Sequence, residues 1–185
     1  MKTFDLVGTP RSEFGKKAAK ALRKENLIPC NLYGQGENTT FTVQAEDVRK
    51  LIYCPDTLAV NLTIGDKKAV AVVKEYQFHP IKDVCLHIDF LEVTAEKPVT
   101  VAVPVQLVGH AEGVKAGGKL AMEMRKLKVN GIYTNIPNRI EVDVTALGIG
   151  KKLAVGDLKF EGLTFMNPKD ACVAQVKATR QSKNS

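Results

Sequence analysis

The sequence predicts a mainly β protein in two parts: a small mixed sheet or β-barrel carrying two helices, followed by a second all-β domain. Three observations carry that prediction. Runs of β-branched and aromatic residues alternate with period two between turn residues along most of the 185 residues. Only two segments, Gly15 to Asn26 and Glu46 to Tyr53, read as helices. A polar break, Thr94-Ala95-Glu96-Lys97-Pro98, divides the chain, so the expected domains are 1–95 and 96–178, with 179–185 a flexible polar tail.

In chain order, Thr3 to Val7 reads as a first strand. The helix from Gly15 to Asn26 turns Phe14, Ala18, Ala21 and Leu22 toward the sheet, and Pro29 follows its end. Leu32-Tyr33 and Thr40 to Val43 are short strands, and the second helix stops before Pro55. Leu58, Val60, Leu62 and Ile64 alternate with Ala59, Asn61 and Thr63. The turn Gly65-Asp66-Lys67-Lys68 then returns the chain into Ala69 to Phe78, a hairpin. Leu86 to Val93 adds another strand. Beyond the break, Val99, Val101, Val103, Val105 and Leu107 share one face of a strand, and Pro104, which lacks an N–H, argues for an edge position. Gly117-Gly118 marks a loop, and Asn130-Gly131 is the strongest short hairpin signal. Ile140, Val142 and Val144 alternate with acids, and Ala171 to Val176 forms the last strand.

Composition narrows the function classes. No stretch reaches the roughly 18 apolar residues of a membrane helix, and the uncharged run Val99 to Gly109 is short and interrupted by Pro104. The first residues hold no apolar core of signal-peptide length, so a cytosolic, cytoplasmic protein is expected. Cys30, Cys54, Cys85 and Cys172 form no CxxC pair and read as reduced, mostly buried thiols. The net charge of +7 points to an anionic partner, and its placement says more than its size. Residues 1–95 hold 13 basic and 12 acidic side chains, net +1. Within Arg11 to Lys24, six cations stand against Glu13 alone, net +5, on a background of −4.

At 100° per residue, Lys16, Lys17, Lys20, Arg23 and Lys24 fall within an arc of roughly 120°. Most such faces are merely solvated. Here no acids are interleaved for i,i+4 pairing, so the cations repel one another unless an anion binds. Cys85, His87 and Asp89 stand at i, i+2 and i+4, which puts them on one face of a strand near His79. As metal ligands they diverge too little to wrap one ion; as nucleic-acid contacts, an imidazole donor and a carboxylate acceptor suit base edges and 2′-hydroxyls. Tyr33 reads as a rim residue of the core or as a stacking platform. Gly113 to Lys119 approaches a phosphate-binding loop, but Leu120 replaces the hydroxyl that would reach Mg²⁺ and no helix pattern follows. Serine occurs only at Ser12, Ser182 and Ser185, with no nucleophile elbow, so no catalysis is expected.

Two ordered signatures then connect these residues. Arg11, Gly15-Lys16, Ala21-Leu22-Arg23, Ile28-Pro29 and Tyr33-Gly34 form the first; His79-Pro80 and His87-Ile88-Asp89-Phe90 form the second. Together they resemble the bacterial 5S-rRNA-binding large-subunit ribosomal proteins. Gly109 to Leu120 and Ile136 to Gly150 resemble the additional β domain of the longer members, called general stress protein CTC. The resemblance spans nearly the whole chain. It implies an N-terminal β-barrel docked on the loop E region of 5S rRNA, within the large ribosomal subunit. Arg11, Lys16, Lys20, Arg23 and Lys24 would contact phosphate and sugar, Tyr33 would stack or touch the backbone, and His87 and Asp89 would read bases or 2′-hydroxyls. Gln77 and His79 flank that strand. Ala19, Ala21 and Phe78 depart from residues that some members carry. The resemblance implies no cofactor, no metal, no membrane and no small-molecule substrate, and a monomer off the ribosome whose C-terminal domain meets neighbouring proteins or rRNA. Two rival expectations are a stress-linked protein-interaction module and a metal-binding protein built on Cys85, His87 and Asp89.

Overall fold

The computed structural model describes residues 1–160 and 162–179. The chain divides into two compact units, Met1–Val99 and Thr100 onward. Of the tail expected over 179–185, only Thr179 is described, its hydroxyl donating to the Gly117 carbonyl at 2.7 Å; 180–185 lie outside the described residues.

The first unit contains β1 (Lys2–Pro10), α1 (Lys16–Lys24), β2 (Leu27–Tyr33), β3 (Thr39–Gln44), α2 (Ala45–Ile52), β4 (Leu58–Ile64), β5 (Lys67–Phe78) and β6 (Cys85–Glu92). The six strands close into a barrel in the order β1-β3-β2-β6-β5-β4. The pairs β1–β4 and β2–β6 are parallel and the others antiparallel. Alternation decides what fills it: Leu6, Ile28, Leu32, Phe41, Val60, Leu62, Ile88 and Phe90 point inward and are buried. Phe41 and Phe90 pack with ring centroids 5.7 Å apart, and a Cβ on Gly8 would run into the Phe41 ring. From α2, Val48 and Leu51 join this core.

Several expectations shift. Helix α1 ends two residues early because Asn26 takes φ 59 and turns the chain into β2. Pro29 lies inside β2, opposite Thr42 of β3, where it is tolerated because the ladder to β6 begins only at Cys30. Phe14 precedes α1 and is 64% exposed instead of packing on the sheet; its ring lies under the Arg11 guanidinium, 5.5 Å away. Ala21 is also exposed, the sheet side of α1 is Ala18, Ala19 and Leu22, and no residue of this helix is fully buried.

The second unit contains β7 (Val99–Val108), α3 (Glu112–Lys115), β8 (Lys119–Met122), β9 (Lys126–Gly131), β10 (Ile140–Asp143), β11 (Lys152–Ala154), β12 (Thr164–Phe165) and β13 (Cys172–Lys177). These form one sheet in the order β10-β7-β9-β12 and another in the order β11-β13-β8. Pro104 is therefore not on an edge strand. The Val105 amide donates to the Arg125 carbonyl at 2.9 Å on the β9 side, so the missing N–H of Pro104 faces the β10 side, where pairing starts only at Val105. Asn130-Gly131 makes no hairpin: both lie at the end of β9, with Asn130 opposite Thr164 and its amide donating to Thr100 Oγ1 at 3.0 Å. The backbone at 131 is closely approached: a Cβ there would sit 2.9 Å from Leu163 Cδ2 and 3.0 Å from the Gly162 carbonyl oxygen. The glycines of the near phosphate loop serve packing as well, since a Cβ on Gly113 or Gly118 would press on Val176.

Candidate nucleic-acid interface

Strand alternation carries one set of polar side chains to the outside of the barrel. Ile28, Cys30 and Leu32 point in from β2, which turns Asn31 and Tyr33 out; Ile88 and Phe90 point in from β6, which turns His87 and Asp89 out. On β5, simple alternation would aim Glu75 inward with Val73. A bulge between Val73 and Glu75 reverses the phase, so Tyr76 packs on the core while Glu75 and Gln77 face out. The registers then place Asn31 beside Asp89, Asp89 beside Glu75, and His87 beside Gln77.

His87 and Asp89 are half-buried neighbours, Nδ1 lying 3.5 Å from Oδ1. The approach is too long and misaligned for a hydrogen bond, and Nδ1 has no bonded partner. The Tyr33 hydroxyl is pushed above its ordinary titration range, first by burial and then by the negative charges of Asp89 and Glu75. These three side chains therefore share one neighbourhood.

Helix α1 supplies the cations. It holds no acid, and its lysines Lys16, Lys17, Lys20 and Lys24 are exposed. Gly15 at its N-cap (φ 99, ψ 177) has no side chain to cap the first-turn amides, and Lys16 and Lys17 add like charge to the positive end of the helix. Arg23 fixes the helix to the strand: its Nε donates to the Leu86 carbonyl at 3.1 Å, one residue before His87. Arg11 enters from the end of β1. Its amide donates to the Thr40 carbonyl at 3.2 Å, Thr40 Oγ1 donates back at 3.4 Å, and Thr40 is in register with Asn31. Arg11, Thr40, Asn31, Asp89 and Glu75 thus form one row across neighbouring strands.

Arg11, Arg23, Tyr33, Gln77, His87 and Asp89 come together in this way, with Lys16, Lys20 and Lys24 exposed on the attached helix. His79 does other work. Its Nδ1 accepts from the Ile81 and Lys82 amides at 3.2 and 3.3 Å, holding the turn between β5 and β6. The Cys85, His87, Asp89 triad does not form. Register shifts between Gln77 and Phe78, opposite the start of β6, and Cys85 turns into the core with its thiol pushed up by burial. Among the described residues no three His, Cys, Asp or Glu side chains are grouped to hold a metal ion. Glu75 escaped the sequence reading because nothing in the residue pattern marks the bulge.

Two family models match the chain in succession: the Ribosomal L25p family over residues 6–90 and the C-terminal domain of ribosomal protein TL5 over residues 98–180. The large ribosomal subunit protein bL25 of Porphyromonas gingivalis is 57% identical over 187 residues, covering 100% of this chain and 97% of that protein. The bL25 proteins of Azobacteroides pseudotrichonymphae and Parabacteroides distasonis are 52% and 51% identical, each covering 100% of this chain and 98% of their own length. The chain belongs to the ribosomal L25p family. The resemblance read from the two signatures holds, and the TL5-like match makes this a long-form member with a second β domain. The L25p match contains every residue of the outer face just described, from Arg11 to Asp89. Members of the L25p family are ribosomal proteins, and the chain is no enzyme. Among the described residues no helix is long and apolar enough to cross a membrane.

Proposed function

We propose that the chain is a structural protein of the large ribosomal subunit that binds the loop E region of 5S rRNA in the cytoplasm. The cations Arg11, Lys16, Lys20, Arg23 and Lys24 hold phosphate and sugar, while Tyr33, Gln77, His87 and Asp89 meet the minor-groove surface. His79 serves this face through the turn it holds, with Nε2 left as the ring's donor.

The observation that carries the reading is the Arg23 bond to the Leu86 carbonyl, which joins the cationic helix to the His87–Asp89 strand as one surface. Phosphate contacts then supply affinity and position, and the strand supplies selection. An A-form minor groove is wide and shallow and displays 2′-hydroxyls and base edges, which suits a strand face better than a protruding helix. Residues 1–95 are the RNA-binding domain in this reading. Residues 96–178 meet neighbouring proteins or rRNA, and the protein is a monomer off the ribosome. Co-sedimentation with large subunits, followed by direct titration of 5S rRNA, tests it. Binding to 5S rRNA that an unrelated RNA of equal length does not compete away is expected; equal competition by both RNAs would overturn it.

A further inference from the structure

Among the described residues, three side-chain polar atoms are shielded from solvent and bonded to nothing: Arg11 Nε, Asn31 Oδ1 and His87 Nδ1. Arg11 and Asn31 lie on the row that runs from the end of β1 across β3, β2 and β6, and His87 stands on the same outer face two residues before Asp89. Arg11 and His87 already belong to the RNA face. Asn31 does not, although it stands between them, in register with Thr40 on one side and Asp89 on the other.

A shielded amide oxygen with no partner raises the free energy of the folded chain. The rest of β2 is Leu27, Ile28, Pro29, Cys30, Leu32 and Tyr33, so an aliphatic residue at 31 would suit the strand and leave no orphan. The fold gains nothing from an amide here. A ligand can. The residue is only partly buried, and its amide oxygen has no protein partner to release, so a turn about χ2 can bring that oxygen outward. Asp89 beside it, when ionised, only accepts, whereas an amide both donates and accepts. The pair therefore matches a base edge that carries a donor and an acceptor next to a second donor.

We propose that Asn31 is a further specificity-determining residue of this face, its side-chain amide bonding a base edge next to the group that Asp89 reads. The inference rests on the RNA-binding reading above and names a residue that reading did not use.

The test uses the full chain with Asn31→Leu and, as a second apolar replacement, Asn31→Val. Titrations use a 5S rRNA transcript and an unrelated RNA hairpin of equal length, alongside thermal unfolding and an Arg23→Gln control. Both apolar variants are expected to keep or raise Tm, since an orphan is removed. Both are expected to bind 5S rRNA about tenfold more weakly with little change on the hairpin. Weaker binding together with a lower Tm in both variants would assign Asn31 a structural role and overturn the inference. Unchanged 5S rRNA binding, while Arg23→Gln weakens it, would overturn the inference alone. If Arg23→Gln also leaves binding unchanged, the RNA face itself is wrong and the inference falls with it.

Discussion

Arg23 joins the cationic helix to the His87–Asp89 strand, so its substitution separates charge from placement in the proposed interface. It has one tether, Nε to the Leu86 carbonyl at 3.1 Å, on a helix with no fully buried residue. If the five cations Arg11, Lys16, Lys20, Arg23 and Lys24 each neutralise a phosphate, log affinity falls against log salt with a slope of about −3.5 to −4.5. Raising salt from about 50 to 200 mM then weakens binding about 130- to 500-fold. Arg23→Gln removes one cation and shallows the slope by about 0.7 to 0.9. Arg23→Lys keeps the charge but not the Nε donor aimed at Leu86, so its slope stays near wild type while affinity falls at every salt concentration. Fluorescence anisotropy with labelled 5S rRNA across a salt series reads both effects. A wild-type slope shallower than about −2 would refute the phosphate count. Arg23→Lys binding like wild type throughout would refute the positioning argument.

Three further outcomes follow from the same geometry. Gly8→Ala forces a methyl against the buried Phe41 ring and is expected to destabilise the barrel by about 1–3 kcal/mol in urea unfolding, with relief from Phe41→Leu; an unchanged midpoint would sink the packing argument. Asp89→Ala is expected to lower discrimination between 5S rRNA and a scrambled RNA, by up to about 1–3 kcal/mol for a full base contact, and equal losses on both RNAs would remove its selective role. In the second unit, Lys177 and then Gln175 hold Glu123 below its ordinary value of 4.5, through contacts of 2.8 and 2.6 Å. That contribution is complete above pH 4.5 and is lost as pH falls through the lower folded value, so Glu123→Gln should flatten the acid limb of a stability–pH curve; an identical acid limb would show the contact to be idle.

How much of this was legible depended on whether the signal was local. The β4–β5 hairpin could be read directly, because alternation and a two-residue turn at Gly65-Asp66, with Gly65 at φ 56, agree. The cationic face of α1 was also legible, since helical spacing alone determines it. A barrel was expected, but the strand pairs that close it could not be read, because β1–β4 and β2–β6 are parallel and join segments distant in sequence. Proline and Asn-Gly signals misled for a related reason. Pro104 sits inside a sheet at a point where the ladder to β10 has yet to begin, and Gly131 lies at the end of β9 rather than in a turn. The site was half visible: His87 and Asp89 share a face by period two, whereas Cys85 and Glu75 change faces at register shifts in the β5–β6 pair.

The carboxylates are the more informative part of the face. A surface built only to hold a polyanion would exclude them, yet Glu75 and Asp89 lie in register beside a helix rich in lysine. An acid about 8 Å from a phosphate costs about 0.5 kcal/mol even at the dielectric of water, and each acid meets several phosphates of any RNA laid on the face. Only an RNA that presents donors at those points, such as amino groups or 2′-hydroxyls, offsets the cost. In the proposed RNA-binding reading the acids act against the wrong RNA as much as for the right one. Glu75→Gln is expected to tighten binding to an unrelated duplex about two- to fivefold, since repulsion is removed, while 5S rRNA gains less or loses affinity. The measured quantity is the ratio of the two affinities at a fixed salt concentration. If both RNAs gain equally, Glu75 is a bystander that merely dilutes the positive field; if the ratio narrows, selection on this face is done by repulsion that one RNA alone can relieve.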